Sequence, residues 1–559
     1  MSFPGPTWWE LLAIPVIAAV LALARLRGLR FFWRSWATAL YGSERRAMLA
    51  VGLISLSAAI VCTAIRDQGP RVHDEFSYLL AADTFARGRL TNLAHPMWRH
   101  FETMHILMQP TMQSKYPPAQ GLVLAAGQVL TGRPITGVWA AFALACVALY
   151  WCLRPWMPRR WAFFGGLLPC LRFGTGLYFH DNHWTYWASS YWGGAVALLG
   201  GCLVLGAALR MLQANAGGRD SLPLGLGLSI LAASRPWEGL ALAAPVLLLL
   251  AWRLGRSGGA PALVRLVGPA LAMTALCVCA LGYYNWRVTG SAWTMPYQAY
   301  MQQYEVAPVL RFQQFRSEPE YGNEQMRRFN LGPQKVMAEQ QLNGLGIGLE
   351  DVRGLAAFLL GRPLAGAALL GLLFWRERRL LLAAALLMIA AASHALTLTY
   401  PYWPHYFAPH VPLVILLALR GLRVMHAWKV RGQRPGAYFA NAIVIATVGA
   451  LVFSAALAAR AEGEAYSVFR NAIVKRLLAQ SGDDLVLVRY TPDHFVHSEW
   501  VYNLSDIDEQ PIVWARELGP DRNTDLLEYF WDRRAWLLEA DAVPPRISPY
   551  EASEAPGDR

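Results

Sequence analysis

The chain has 559 residues, 55% of them apolar and only 16% charged. Soluble domains carry roughly 25% charged residues, so this composition belongs to an integral membrane protein rather than a soluble one. The net charge of +13 sits in arginine clusters between apolar runs, while the last hundred residues are net acidic. A nucleic-acid binder would need one continuous basic surface, so that class is excluded. The seven cysteines lie in or beside apolar runs and form no CxxC or Cys/His cluster, which predicts neither a disulfide framework nor a zinc site.

Hydropathy predicts a mainly α polytopic protein of about twelve transmembrane helices. The spans fall near 9–26, 47–66, 137–153, 161–179, 190–209, 222–235, 237–253, 262–284, 355–374, 379–398, 409–423 and 438–459. The first carries Glu10 and no basic leader, so it reads as a retained span rather than a cleavable signal. Alternate connections are basic: Arg25–Arg46, Arg154–Arg160, Arg210–Arg219, Arg253–Arg265, Trp375–Arg379 and Arg420–Arg434. The positive-inside rule makes these cytoplasmic and puts both termini outside, in a bacterial inner membrane the periplasm.

Six segments follow: N-terminal spans 1–66, a first outside loop 67–136, a transmembrane core 137–284, a long outside loop 285–354, C-terminal spans 355–459 and a tail 460–559. The tail reads as a small periplasmic α/β domain. Asp484–Tyr490 and Pro511–Ala515 have strand composition, Thr524–Trp536 has helical spacing, and Pro544–Arg559 looks loose. No internal repeat is visible, which weighs against a transporter.

In the first loop, Arg71-Val-His-Asp-Glu-Phe-Ser-Tyr opens a helix expected to stop at Gly88. Phe76, Leu79, Leu80 and Phe85 keep helical spacing, so the helix is expected to lie along the membrane surface. Asp74 and Glu75 have two readings. One is an N-cap and a first-turn acid that complement the helix dipole; the other is catalytic. His95, His100, Glu102 and His105 follow, then Lys115, the first lysine of the chain. Lys115 either snorkels to the interface or meets a phosphate.

Beyond the His73-Asp74-Glu75 triplet and Lys115-Tyr116-Pro117-Pro118, two later segments carry a family pattern. They are Tyr284-Asn285-Trp286-Arg287-Val288-Thr289-Gly290 and His405-Tyr406-Phe407-Ala408-Pro409. Together they resemble the GT-C superfamily of membrane glycosyltransferases, in the branch of protein O-mannosyltransferases and aminoarabinose transferases. His405 stands where that branch commonly has Arg. The resemblance covers roughly residues 60–425. It implies a polyprenyl-phosphate sugar as donor, inversion at the sugar, and Asp74 as catalytic base. No nucleotide-binding glycine loop is visible, in keeping with a lipid-linked donor.

The remaining site expectations follow from chemistry on the same face. Glu75 joins Asp74 as a catalytic acid that orients the acceptor or holds a cation. Lys115, Arg235, His405 and Tyr406 are expected to bind the donor phosphate, because arginine forks and lysine charges suit phosphate oxygens. An Arg235–Glu238 ion pair is the structural alternative. His73, Tyr78, His180, Asp181 and His183 are expected to hold sugar or acceptor. The resemblance implies no metal, while His180, Asp181 and His183 with Asp74 or Glu75 are the candidate ligands for a divalent cation. The expected partners are a polyprenyl-phosphate-linked sugar, a lipid, glycan or protein acceptor, and the membrane. The alternatives are a transporter or flippase of lipid-linked sugars and a non-catalytic envelope assembly protein.

Overall fold

The computed structural model describes residues 8–26, 39–65, 69–70, 72–172, 187–213, 216–256, 260–344, 348–373, 378–398, 404–458 and 465–550. It is mainly helical and divides into two compact units. The first unit is Met1–Gln68, Ile135–Ala280 and Gln341–Ala461; the second is Gly69–Pro134, Leu281–Gln340 and Glu462–Arg559.

In the first unit every predicted span has a helix. Among the described residues, seven are long and apolar enough to cross a bilayer, from Glu44–Ala64 to Ala408–Ala427. Leu11–Ala24, Leu380–Ala395 and Pro435–Leu451 are shorter apolar helices. The other two expected spans appear as Arg159–Arg172, where the described residues stop, and the 11-residue Leu222–Ala232, which is shorter than the roughly 20 residues a straight crossing needs. This is a multi-pass membrane protein.

Small residues set the helix spacing. Apolar side chains gain little from meeting one another in lipid, so close backbone approach is what holds such helices together. Leu349–Leu373 packs on Val411–Ala427, where a Cβ on Gly421 would lie 1.6 Å from the Ala367 carbonyl oxygen. Gly227 meets the Gly200 backbone in the same manner, between Leu222–Ala232 and Gly194–Met211. All seven cysteines are free thiols.

The second unit gathers both long loops and the tail. Helix His73–Ala86 packs on Pro118–Thr131, with Gly121 tight against Ala81 and Phe85. Beside them lies a small antiparallel sheet, β1 (Asn92–Leu93), β3 (Thr111–Ser114) and β2 (Ile106–Leu107) in that order. The tail forms a four-stranded sheet from β4 (Asp484–Arg489), β5 (Ile512–Arg516), β6 (Arg534–Glu539) and β7 (Arg546–Pro549), ordered β5-β4-β6-β7. Strand β4 runs parallel to β5 and β6, and β7 closes the edge antiparallel.

The run Asp-Leu-Val-Leu-Val explains the position of β4. Leu485 and Leu487 face a core with Phe101, Met108 and Leu526, while Val486 and Val488 face Trp500, Trp514 and Leu477. A strand apolar on both faces belongs in the middle of a covered parallel sheet.

Several expectations are corrected here. The tail has helices Ala465–Leu478 and Pro520–Tyr529; the expected helix Thr524–Trp536 stops at Tyr529, and its last three residues, Arg534–Trp536, open β6. Ladder pairing of Ala535–Leu538 with β4 overrides the local helical spacing. Arg546–Pro549, within the segment expected to be loose, is a strand. Helix His73–Ala86 is not a surface helix, since Phe76 and Leu80 are buried inside the unit. Nor is Asp74 an N-cap: Val72 takes that position, with no side-chain cap, and Asp74 lies in the first turn.

Candidate functional site

Two clusters stand out, one in each unit. The first is built around Asp74. The helix beginning at His73 sets His73 and Asp74 side by side, with His73 Nδ1 3.2 Å from Asp74 Oδ2. From the loop before β2, His105 brings its Nε2 to 3.7 Å from Asp74 Oδ1. His105 has a positive φ of 66°, uncommon for a residue with a side chain. Three hydrogen bonds hold that backbone: its N–H donates to the Tyr300 hydroxyl at 3.0 Å, and its carbonyl accepts from Ser77 Oγ at 2.6 Å and from the Lys115 N–H at 3.0 Å. Ser77 is one turn along the same helix as Asp74, so this network ties the His105 loop to the helix that carries the acid.

Tyr116 completes the grip by donating its hydroxyl to Asp74 Oδ1. Its ring stacks on Tyr78 at 4.5 Å, which fixes the phenol's direction. On the other side, the His73 ring lies 4.4 Å from His105 and stacks on His497, also at 4.4 Å. Phe329 closes against His73 edge-on at 6.1 Å. Residues from four distant stretches of sequence therefore converge on one carboxylate.

Electrostatics keep that carboxylate ionised. Burial pushes the Asp74 carboxyl up, but His105, His73 and the Tyr116 hydroxyl outweigh it and hold it well below the usual range. Burial, reinforced by the Lys115 charge, pushes His105 well down. His497 is pushed down to about 3 by burial and by His73. Burial, with Asp74 next to it, pushes the Tyr116 phenol well up, so Tyr116 remains a donor.

Lys115 lies in a buried ion pair. Its side chain is buried, with Nζ 3.0 Å from Glu305 Oε1 and 4.6 Å from the centre of the Tyr300 ring. Tyr297 and Tyr116 lie at 5.0 and 5.5 Å from the same ammonium. Glu305, from the second long loop, is its counter-charge.

The other histidines of the first loop are structural. His95 bonds Asp508 at 2.8 Å, and His100 meets the carbonyls of Arg516 at 2.9 Å and Arg522 at 3.2 Å. Glu75 and Tyr78 are buried in the helix that carries Asp74.

The second cluster lies in the first unit. Arg235 is the N-cap residue of helix Pro236–Gly255, and its guanidinium sits over the Tyr406 ring at 5.0 Å. His405 packs between Tyr406, at 4.5 Å, and Trp192, at 4.9 Å. His394 lies 5.9 Å from Tyr406 and 5.0 Å from Phe407. Arginine and two histidines framed by aromatic rings form a place where an anionic head group can be met by donors. His180, Asp181 and His183 lie outside the described residues.

The structure thus groups His73, Asp74, Tyr78 and the vicinity of Lys115 in one cluster, and Arg235, His405 and Tyr406 in another. Sequence reasoning left His105 and Tyr116 unassigned and missed His497 and Glu305. The His105 positive φ has no signature in a histidine, and His497 lies more than four hundred residues from its neighbour.

No family model matches the sequence, and no curated protein matches it. Among solved structures the chain is similar to ArnT from Cupriavidus metallidurans bound to undecaprenyl phosphate. That match has 14% identity, covers 88% of this chain and 93% of that one, and has a TM-score of 0.49. It is also similar to the oligosaccharyltransferase of Archaeoglobus fulgidus tethered with an acceptor peptide. There the identity is 12%, the coverage 88% of this chain and 69% of that one, and the TM-score 0.41. The same oligosaccharyltransferase in complex with zinc and sulfate matches at 15% identity, over 87% and 67% of the two chains, with a TM-score of 0.43.

Proposed function

We propose that the chain is an inverting membrane glycosyltransferase that moves a sugar from a polyprenyl-phosphate donor to a hydroxyl acceptor. Asp74 accepts the proton of the acceptor hydroxyl as its oxygen attacks the sugar C1. The C1–O bond to phosphate breaks, and the polyprenyl phosphate leaves with that electron pair. One observation carries this reading. Asp74 is no helix cap but an ionised carboxylate held by Tyr116 between two histidines. Such an arrangement of buried titratable groups marks a site of chemistry more than a site of packing. His73 and Tyr78 line the acceptor side, and Glu75 orients the acceptor.

A separate assignment rests on the second cluster. Arg235, His405 and Tyr406 bind the phosphate of the lipid donor, supported by an arginine fork and an imidazole framed by Trp192 and Tyr406. Lys115 joins them in this reading, with Glu305 as the counter-charge it holds before the donor arrives. By the basic connections, both the chemistry and the two termini face the periplasm of a bacterial inner membrane.

The test is transfer from a polyprenyl-phosphate sugar by the purified protein in liposomes, beside Asp74→Asn. Activity in the wild type and its loss in the variant supports the assignment. Transfer retained by the variant removes Asp74 as base. Movement of the lipid-linked sugar across the bilayer without transfer favours a transporter instead.

A further inference from the structure

We propose that the first unit binds a phospholipid whose head group carries both a phosphate and a primary ammonium, an ethanolamine phospholipid. Its seat is a cavity at the end of the unit where the arginine-rich connections lie. The cavity has a volume of about 530 Å³, and Glu44, Tyr150, Arg154, Arg210, Gln213 and Asp220 are among the residues that line it. That volume falls within the ~300–1,000 Å³ of sites that hold small molecules. The place is distinct from the Arg235–His405 cluster. Trp192, beside His405, stands just before helix Gly194–Met211, whereas Arg210 lies in the last turn of that helix. The two ends are roughly 24 Å apart, at about 1.5 Å per residue.

The charges in the cavity are arranged for a zwitterion. Glu44 is already satisfied: Arg154 grips it at 2.6 and 2.8 Å, Arg159 reaches it at 3.3 Å, and it accepts from the Tyr150 hydroxyl. Two arginines on one carboxylate leave a surplus positive charge. Arg210 donates to the Gly206 carbonyl at 2.8 Å and to the Trp151 carbonyl at 2.9 Å, with its guanidinium 3.7 Å from the centre of the Trp151 ring. These contacts fix the guanidinium and leave part of its fork of donors free. Among the described residues no carboxylate forms an ion pair with it. Asp220 is the complement. Its Oδ2 accepts from the Gly217 N–H at 2.8 Å, and no cationic side chain among the described residues pairs with it. An arginine and a carboxylate that line one cavity without pairing match a phosphate and an ammonium on one short molecule. The phosphate meets Arg210 and the remaining N–H groups of Arg154, and the ammonium meets Asp220.

A separate observation points to a lipid rather than a soluble phosphate ester. At the same helix end, Leu205, Leu209 and Leu212 line an apolar crevice with Trp156, Val246 and Leu249. The helical turn sets these three leucines on one face and Arg210 and Gln213 on the next. Leu209 and Leu212 precede Arg210 and Gln213 directly, and Trp156 follows Pro155, so crevice and cavity adjoin. A soluble ester has no use for the crevice. An acyl chain lying in it brings its head group to the level of Arg210. A charge at a helix end beside lipid is costly unless compensated, and the head group supplies that compensation for Arg210 and Asp220 together.

The test delipidates the full chain in detergent and titrates it with phosphatidylethanolamine, phosphatidylcholine, glycerophosphoethanolamine and inorganic phosphate, with bound molecules counted by native mass spectrometry. The ethanolamine lipid should bind about 10-fold or more tighter than phosphatidylcholine, whose methylated ammonium has no N–H to donate to Asp220. Asp220→Asn should erase most of that preference while lipid still binds. Arg210→Gln should weaken both lipids by about 10-fold or more. Arg46→Gln, on an exposed arginine that does not line the cavity, should change neither. Equal binding of the two lipids by the wild type overturns the proposal, as does a preference that Asp220→Asn leaves intact. Glycerophosphoethanolamine or phosphate binding as tightly as the diacyl lipid overturns the lipid assignment. If a variant fails to fold, the wild type decides with an ethanolamine lipid carrying a photoreactive head group: labelling within residues 150–155 or 210–220 supports the site, and labelling only elsewhere overturns it. No readout involves sugar transfer, so the outcome is independent of the role given to Asp74.

Discussion

Nζ of Lys115 lies 3.0 Å from Oε1 of Glu305, and the two side chains are 5% and 6% exposed. This pair joins the first long loop to the second across 190 residues, inside a ring of tyrosines. Removing one partner from a buried pair leaves an uncompensated charge, at a cost of about 3–5 kcal/mol. Lys115→Met and Glu305→Gln should therefore each lower the melting temperature of the detergent-solubilised protein sharply. The double variant Lys115→Met/Glu305→Leu should recover much of the loss. Additive losses in the double variant would mean that the two side chains stabilise the unit separately.

Asp74→Asn should reduce transfer by about 10²–10⁴-fold, the range that a positioned acid or base contributes. The melting temperature should change far less than the rate, because the amide keeps the volume and can still accept from Tyr116. Rates with the purified variant check this, read beside its melt.

Tyr116→Phe removes a hydrogen bond that favours the ionised form of Asp74. Without it the carboxyl rises toward its ordinary range. If transfer needs the carboxylate, the acid limb of the pH–rate profile should move to higher pH. A bond to a charged group is worth about 1.5–3 kcal/mol, so the shift should be about one to two pH units. An acid limb that stays in place would separate Asp74 from the rate.

Asp83 ties the first-loop helix to the tail. Its carboxylate accepts from the Ser505 N–H at 3.1 Å, from the Ser505 hydroxyl, and from Gln128 at 2.9 Å. Burial raises this carboxyl, but those bonds and Arg87 outweigh it and hold it below its ordinary 3.8. A depressed folded-state value means stability present above the unfolded value and lost as pH falls through the folded one. Asp83→Asn should thus cost about 1–3 kcal/mol near neutrality and flatten the loss of stability below 3.8. Melting curves from neutral pH to about pH 3 read both effects.

Gly421→Ala should separate Leu349–Leu373 from Val411–Ala427, because the added methyl meets the Ala367 carbonyl at 1.6 Å. Overpacking of this kind costs about 1–3 kcal/mol. Gly449→Ala, where nothing lies near the added carbon, should be neutral by the same thermal measurement.

The sequence by itself determined the apolar segments, the helix opening at His73 and the central strand of the tail. These are properties of runs: hydropathy over some twenty residues, and an apolar stretch too short and too β-branched for a helix. It also singled out Asp74, though without separating a cap from a site of chemistry. Tertiary structure removed the cap reading, since capping depends on where the first helical turn begins, and Val72 takes the position. The same structure gave Lys115 to Glu305, turned Arg534–Trp536 from helix into strand, and sorted three similar histidines into two structural ones and one beside Asp74. Each of these outcomes depends on a partner far away in the chain. Local spacing carries no record of which distant residue will supply a counter-charge, a strand ladder or, in His497, a stacking ring.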